Sequence, residues 1–106
     1  MNEHDIQSLI LIYVTSLPNS YFWRQNSGVF PDYNGVRRIR TCPEGTPDIL
    51  GVMNGNMIGI ECKSKTGKQL LHQQNWQRNC ERGGGIYILA RSVEDVKGRF
   101  QSLLKG

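Results

Sequence analysis

The size and composition of the chain confine it to one small globular domain. Its 106 residues are 38% hydrophobic and 21% charged, which argues against a disordered chain and leaves no room for a second domain. No apolar stretch approaches the roughly 20 residues that span a bilayer, and the first residues lack the basic segment of a signal peptide. We therefore expect a single cytoplasmic domain over residues 1–106, with no membrane partner.

The charge and the cysteines narrow the class of partner. The formal net charge of +4 favours a polyanion such as nucleic acid, although many small basic proteins bind nothing acidic. Cys42, Cys62 and Cys80 are an odd number without CxxC spacing, which predicts free thiols in a reducing compartment. We expect no zinc site, because its ligands would have to come from scattered positions.

The first half of the chain begins with a helical pattern. Apolar residues at helical spacing predict a helix over residues 3–17, with Asn2 or Asp5 near its start as a cap. The aromatic-rich stretch 21–25 predicts a short strand. Residues 26–35 contain turn-forming residues and predict a loop, and residues 36–40 form either a loop or an irregular strand.

The second half alternates strands and helices more clearly. Two strands, over residues 48–53 and 57–63, flank Asn54-Gly55, the strongest short hairpin signal. The pattern then predicts a helix over 70–82, a strand over 86–90, and a last helix from Ser92 to about residue 104. The expected fold is α/β, with a mixed central sheet of about four strands flanked by helices in the order α-β-β-β-α-β-α.

The hairpin gathers charged residues at one end of the sheet. If Asn54 and Gly55 are its two loop residues, Asp48 lies opposite Glu61, with the facing Cβ atoms about 4.5–5.5 Å apart. Lys63 points to the same face as Glu61 because side chains alternate along a strand. A loop longer by one residue would make the two acids diagonal neighbours instead.

Paired carboxylates with a lysine favour a particular chemistry. Two carboxylates held this close repel, and one takes up a proton unless a cation lies between them. Mg²⁺ fits, because it takes oxygen ligands and is usually held by one or two carboxylates with substrate phosphates. Such an ion polarises a phosphate and activates water, and a neighbouring lysine stabilises the developing charge. The simpler alternative is a surface ion pair between Glu61 and Lys63 at a strand end.

The order of these residues resembles a known nuclease superfamily. Gly45-Thr46-Pro47-Asp48, a hairpin and then Glu61-Cys62-Lys63 resemble the PD-(D/E)XK nucleases. Glu3 on the first helix, Gln73 and Trp76 on the second, and the stretch 85–96 resemble the VRR-NUC branch, which includes small stand-alone phage proteins. The resemblance covers nearly the whole chain, is weakest over residues 20–44, and implies a restriction-endonuclease-like core.

The resemblance implies a role for individual residues. Asp48 and Glu61 would hold Mg²⁺, with Mn²⁺ able to substitute, and the backbone carbonyl of Cys62 would be a further ligand. Lys63 would be the catalytic lysine. Glu3 would complete the metal shell, often through water, and Gln73 would steady the lysine or the substrate phosphate.

Each of these helix residues also has a purely structural interpretation. The structural alternative for Glu3 is an exposed acid favoured by the helix dipole, and the alternative for Gln73 is a residue of a solvated helix face. Trp76 is better explained by packing than by base stacking.

The expected function follows from the resemblance and the charge. Stand-alone members behave as homodimers that cleave four-way junctions, and a two-fold junction needs two symmetric cuts. We expect a metal-dependent, structure-selective endonuclease that resolves Holliday junctions as a homodimer, or that cuts flaps or nicks branched DNA. The alternatives are a sequence-specific restriction-type endonuclease and a non-catalytic DNA-binding module. Candidate phosphate contacts are the basic residues flanking the motif, which are suggestive as a cluster although each alone is better explained as a solvated charge: Arg37, Arg38, Arg40, Lys65 and Lys68.

Overall fold

The fold is a mixed sheet with helices on both faces. The computed structural model describes residues 1–25, 29–31, 33–40 and 42–105, and the side chains of 1–25, 33–38 and 42–103. In chain order the elements are α1 (Glu3–Thr15), β1 (Ser20–Arg24), β2 (Val29–Pro31), β3 (Arg38–Arg40), β4 (Ile49–Met53), β5 (Asn56–Cys62), α2 (Leu71–Arg82), β6 (Ile86–Ala90) and α3 (Val93–Lys105).

The central sheet has four strands in the order β1-β4-β5-β6. The β1–β4 and β4–β5 pairs are antiparallel, whereas β6 runs parallel to β5 after the α2 crossover. The predicted α/β class, the mixed sheet and the order α-β-β-β-α-β-α around that sheet are confirmed. No helix among the described residues combines the length and apolar character that crossing a membrane requires.

A second, two-stranded sheet corrects the prediction for residues 26–40. Val29–Pro31 pairs antiparallel with Arg38–Arg40, so the predicted loop contains a strand and part of the unassigned segment is another. Each strand has only three residues and one contains proline, which leaves too short a pattern to recognise. Residues 26–28 and 32 of the predicted loop lie outside the described residues.

The β4–β5 hairpin has the predicted two-residue loop. Asn54 and Gly55 have φ of +53° and +81°, the positive values that a type I′ turn requires. The register pairs Met53 with Asn56 and Ile49 with Ile60. Continued by one step, this register sets Asp48 opposite Glu61, and one carboxylate oxygen of each lies within 4.8 Å of the other.

The two faces of the sheet differ in what covers them. On one face, Ile58, Ile60 and Cys62 of β5 are fully buried in a core that α1 and α3 complete. On the other face, Trp76 of α2 lies over Gly59, where an added Cβ would be only 3.0 Å from the indole ring. The alternating residues of β5 therefore divide between the main core and the α2 side, and Glu61 belongs to the α2 side.

The helix starts are fixed by side chains. The Asp5 amide donates to Asn2 Oδ1 at 2.8 Å, which identifies Asn2 rather than Asp5 as the cap of α1. At α3, the Asp95 amide donates to Ser92 Oγ, and the Asp95 carboxylate accepts from the Arg91 amide. The cap of α3 therefore fixes the backbone of Arg91 directly after β6.

Two glycine substitutions test this packing in opposite directions. In Gly59→Ala the new methyl group would lie 2.9 Å from Pro47 Cγ and 3.0 Å from Trp76, so we expect a loss of about 1–3 kcal/mol in unfolding free energy. Gly98→Ala, in α3, meets nothing within 4 Å and should gain up to about 1 kcal/mol from helix propensity. Urea unfolding of both variants measures this; a fully stable Gly59→Ala would contradict the close packing of α2.

Candidate metal centre

Three carboxylates from distant parts of the chain meet at one end of the sheet. Glu3 is the first residue of α1, Asp48 immediately precedes β4, and Glu61 lies near the end of β5. One carboxylate oxygen from each lies within 4.8 Å of the others. Glu3 is exposed, Asp48 is partly buried and Glu61 is buried. The group is therefore open to solvent on the Glu3 side and enclosed by protein on the Glu61 side.

Asp48 is held at both its backbone and its side chain. Its carbonyl accepts a hydrogen bond from the Gln25 amide at 2.7 Å, and its Oδ2 accepts from the Cys62 amide at 2.9 Å. The second bond ties the carboxylate to β5, the strand that carries Glu61. It leaves Oδ1 as the oxygen with which Asp48 can bind a cation.

Glu61 has one supported oxygen and one unsupported oxygen. Its Oε2 accepts from Gln73 Nε2 at 3.2 Å and lies 3.9 Å from Lys63 Nζ. Its Oε1 is fully buried and has no hydrogen-bond partner among the described residues. A buried polar atom without a partner is costly, so this oxygen requires a proton or a cation.

The Gln73 side chain links Glu61 to the start of α2. Its Oε1 accepts from the Leu70 amide at 2.8 Å, at the start of α2. Since that bond fixes which end of the amide faces the backbone, Nε2 must point toward Glu61. Gln73 therefore lies near the site and contacts Glu61, while its role toward Lys63 or the substrate phosphate stays a prediction.

Lys63 shares the enclosed side of the group. Its side chain is only 10% exposed, and its Nζ lies 3.9 Å from Glu61 Oε2. The Lys63 amide donates to the Ala90 carbonyl of β6 at 3.0 Å, which extends the parallel ladder past the end of β5. A lysine this buried is unlike the solvated strand-end ion pair that was the simpler interpretation of the sequence.

The environment of Glu61 favours its protonated form. Burial, followed by the charge and hydrogen bonding of Asp48, raises the Glu61 pKa from an ordinary 4.5 to about 8. The Lys63 ammonium opposes this rise, and Glu3 adds to it. The described groups therefore do not by themselves neutralise a second negative charge at this position.

A polar cleft of about 230 Å³ opens onto Asp48, Glu61 and Gln73. The loop 43–46 forms one wall and His72 of α2 the other. Gly45 makes this approach possible: its φ is +87°, and an added Cβ would clash with the His72 carbonyl. Gly45 therefore allows the loop before β4 to lie against α2.

Cys62 and Trp76, the other residues singled out around the motif, both lie in packed surroundings. The Cys62 thiol points into the main core, where burial raises its pKa, and it is far from ionising. The role of the Cys62 carbonyl as a metal ligand stays a prediction. Trp76 packs against the sheet, 6.0 Å from the ring of Tyr87, as expected of a packing residue. All three cysteines are free, as predicted.

The predicted phosphate contacts are only partly described. Arg37 and Arg38 are exposed at the β2–β3 pair, and Lys65 and Lys68 are exposed in the loop after β5. The side chain of Arg40 lies outside the described residues. Contacts of these five residues with nucleic acid stay predictions.

The sequence interpretation missed Arg91. Its Nη1 donates to the carbonyls of Ser64 and Gly67, each at 2.6 Å, and so ties β6 to the loop that follows Lys63. The signal for it was its position directly after a strand parallel to β5, since the carboxyl ends of parallel strands meet at one edge.

No family model matches the sequence, and no curated protein matches it significantly. The family assignment therefore stays a prediction based on the motif residues.

The donor set fits a hard divalent cation. Glu3, Asp48 and Glu61 offer only carboxylate oxygens, which are the ligands that Mg²⁺ and Mn²⁺ take. The unpartnered Glu61 Oε1 is the oxygen with most to gain from an ion, because it has no other partner. The Cys62 thiol is buried in the main core, and among the described residues the group of possible metal ligands contains no thiol or imidazole.

The Glu61 pKa predicts a pH dependence of stability in metal-free protein. Because the folded-state pKa of about 8 exceeds the unfolded value near 4.5, the folded protein binds the extra proton. The stabilisation of the fold by protonated Glu61 should be fully present below pH 4.5 and be lost as the pH rises through 8. In EDTA, the melting temperature of the wild type should fall between pH 5 and pH 9, and Glu61→Gln should reduce this fall.

The control for this experiment is Glu94→Gln, the same change at an exposed position. It should leave the decline between pH 5 and 9 as in the wild type. If the melting temperatures of the wild type and Glu61→Gln change by the same amount between pH 5 and pH 9, the raised pKa of Glu61 is contradicted.

Proposed function

We propose that this protein is a Mg²⁺-dependent endonuclease that hydrolyses phosphodiester bonds in branched DNA, as a member of the VRR-NUC branch of the PD-(D/E)XK nucleases. The observation that carries the proposal is the meeting of three carboxylates and a buried lysine at one polar cleft. The unpartnered Glu61 Oε1 supports a cation in the group. The net charge of +4 supports a polyanionic substrate.

The carboxylates act through their fixed positions. The Cys62 amide holds Asp48 and the Gln73 amide holds Glu61, so both are oriented before substrate arrives. When bound, Mg²⁺ supplies Lewis-acid polarisation of the phosphate and a lower pKa for water. Glu3, being exposed, is the ligand that substrate and solvent can reach.

Lys63 contributes positive charge beside the reacting phosphate. Because its side chain is largely shielded from water, its interaction with a developing phosphorane charge is stronger than that of a solvated lysine. Its Nζ can alternatively orient the attacking water, and both roles require the position next to Glu61. His72 borders the cleft and lies 3.9 Å from Glu44, which places it at the rim rather than at the centre.

Cleavage assays test this mechanism. Labelled four-way junction, flap and linear duplex should be compared in Mg²⁺, and we expect branched substrates to be cut preferentially. Lys63→Ala should reduce the rate by at least about 100-fold, the loss typical of one electrostatic group at a reacting centre. Lys63→Met, which keeps the volume and removes the charge, should lose as much if folding is intact.

Alanine substitutions at two neighbouring glutamines test whether Gln73 acts by orienting Glu61. Gln73→Ala should lower kcat more than it changes KM, by about tenfold, because Glu61 loses its orienting donor. Gln74→Ala, at the adjacent exposed position of α2, should cut like the wild type. Cutting of linear duplex at fixed sequences would instead indicate a restriction-type enzyme, and metal-independent binding without scission would indicate a binding module.

A patch of exposed apolar side chains supports the homodimer that the family resemblance implies, and we include a homodimer in the proposal. Tyr21, Val52 and Met57 form a row across β1, β4 and β5, and each is at least 43% exposed. Trp23 lies beside Tyr21, with ring centroids 5.6 Å apart. Four exposed apolar side chains without a charge favour a second copy of this chain over a polyanion, which would find no ion pairs there.

The dimer has its own test. Tyr21→Lys should shift the protein to monomer in sedimentation velocity, because two copies would then bring like charges into an apolar contact. Tyr33→Lys, the same change at a residue 98% exposed outside the patch, should remain dimeric. Monomeric wild type at high micromolar concentration, or equal behaviour of the two variants, would contradict this interface.

A further inference from the structure

A second and larger cleft lies beside the metal centre. It has a volume of about 480 Å³, within the range of small-molecule sites, and we call it the α1–α3 cleft. Its apolar wall comes from the two helices and its basic residues from the loops after β5 and β6: Ile6, Leu9, Val93, Lys65 and Arg91. Nothing in the proposed hydrolytic step uses it.

The cleft is adjacent to the reacting groups through three separate elements. On α1, Ile6 lies three residues beyond Glu3, which is about 4.5 Å along the helix. Lys65 follows Lys63 by two residues. Arg91 follows Ala90, whose carbonyl accepts from the Lys63 amide. A DNA strand that leaves the metal centre on this side would therefore enter the α1–α3 cleft directly.

Arg91 brings an uncompensated positive charge to this cleft. Its Nη1 is occupied by backbone carbonyls, including those of Ser64 and Gly67, and no carboxylate among the described residues lies within 4.0 Å of its guanidinium. Neutral carbonyls fix the position of the charge without cancelling it. Glu94 also borders the cleft, so two basic side chains face one acidic side chain.

The combination of an apolar wall with fixed cations fits a nucleotide. An unstacked base gains by packing against apolar side chains, and its phosphate gains from lysine and arginine. A paired base has both faces covered by its neighbours and cannot use such a wall. A purely electrostatic duplex contact would not need the exposed Leu9 and the partly buried Val93 beside the cations.

We propose that the α1–α3 cleft binds one unpaired nucleotide of the substrate, with its base against Ile6, Leu9 and Val93 and its phosphate near Lys65 and Arg91. This inference rests on the proposed nuclease function and sharpens its substrate class. Substrates with an unpaired nucleotide next to the cut, such as flaps and bulges, are then preferred over fully paired duplexes and fully paired junctions.

A fluorescent base tests this directly. A duplex carrying a single bulged 2-aminopurine should be titrated with Lys63→Ala protein in Mg²⁺, so that binding is observed without cutting. We expect a change in 2-aminopurine emission as the base moves into the cleft. Leu9→Gln in this background should weaken binding of the bulged duplex about fivefold and leave binding of the fully paired duplex unchanged.

The matched control is Ile12→Gln, the same kind of change at an exposed position of α1 outside the cleft. It should bind the bulged duplex like the parent protein. Lys65→Ala should weaken binding of the bulged duplex. It should also reduce the slope of log affinity against log salt concentration by about one, because one phosphate contact is lost.

The outcomes distinguish this inference from the nuclease proposal. Equal effects of Leu9→Gln and Ile12→Gln, or no change in emission on saturation, would overturn the nucleotide site even if the enzyme cuts DNA. Conversely, absence of cleavage by the wild type on every substrate, with the Leu9-dependent emission change retained, would overturn the nuclease while leaving the nucleotide site in place.

Discussion

The close approach of two carboxylates, imposed by a two-residue turn, is the constraint on which this end of the molecule depends. Asn54-Gly55 sets the hairpin register, and the register places Asp48 against Glu61. Once the acids are this close, their repulsion must be offset by neighbouring groups. The Cys62 amide and the Gln73 amide each neutralise part of one carboxylate, and Lys63 supplies one positive charge. Among the described residues, none of these groups donates a hydrogen bond to Glu61 Oε1.

The small residues around the acids serve this arrangement. Gly45 allows the loop before β4 to touch the backbone of α2, and Gly59 allows Trp76 to lie on the sheet. Both contacts bring α2 close enough for Gln73 to reach Glu61. A larger residue at either glycine would move the helix away, and Glu61 would lose its donor. The packing of α2 and the orientation of the site are therefore the same structural feature.

Sequence predicted what depends on local pattern. Asn54-Gly55 predicted the hairpin and its register, and the alternation along β5 predicted which face carries Glu61. The approach of Glu3 and Gln73 to the site depends on how two helices pack on the sheet, which no local pattern specifies. Only the family resemblance indicated it, and the structure brings both residues to Glu61.

Long-range contacts and very short elements escaped prediction for different physical reasons. The β2–β3 strands have three residues each, too few for a periodicity to emerge from turn-forming neighbours. Arg91 contacts carbonyls more than twenty residues away along the chain, and only the parallel crossover brings them together. An arginine after a strand has no distinctive pattern of its own until the position of that strand is known.

A buried acid that is only partly compensated makes the site a weak point of the fold. With a pKa near 8, metal-free Glu61 is protonated at neutral pH, and ionising it costs folding free energy. A cation that binds the folded state removes this cost, since it can bind the ionised carboxylates and displace the proton. The strongest coupling between ligand and stability should therefore occur at this group, because the chain leaves one oxygen there without a partner. A cation bound at this group would therefore stabilise the fold through the same buried oxygen that destabilises the cation-free protein.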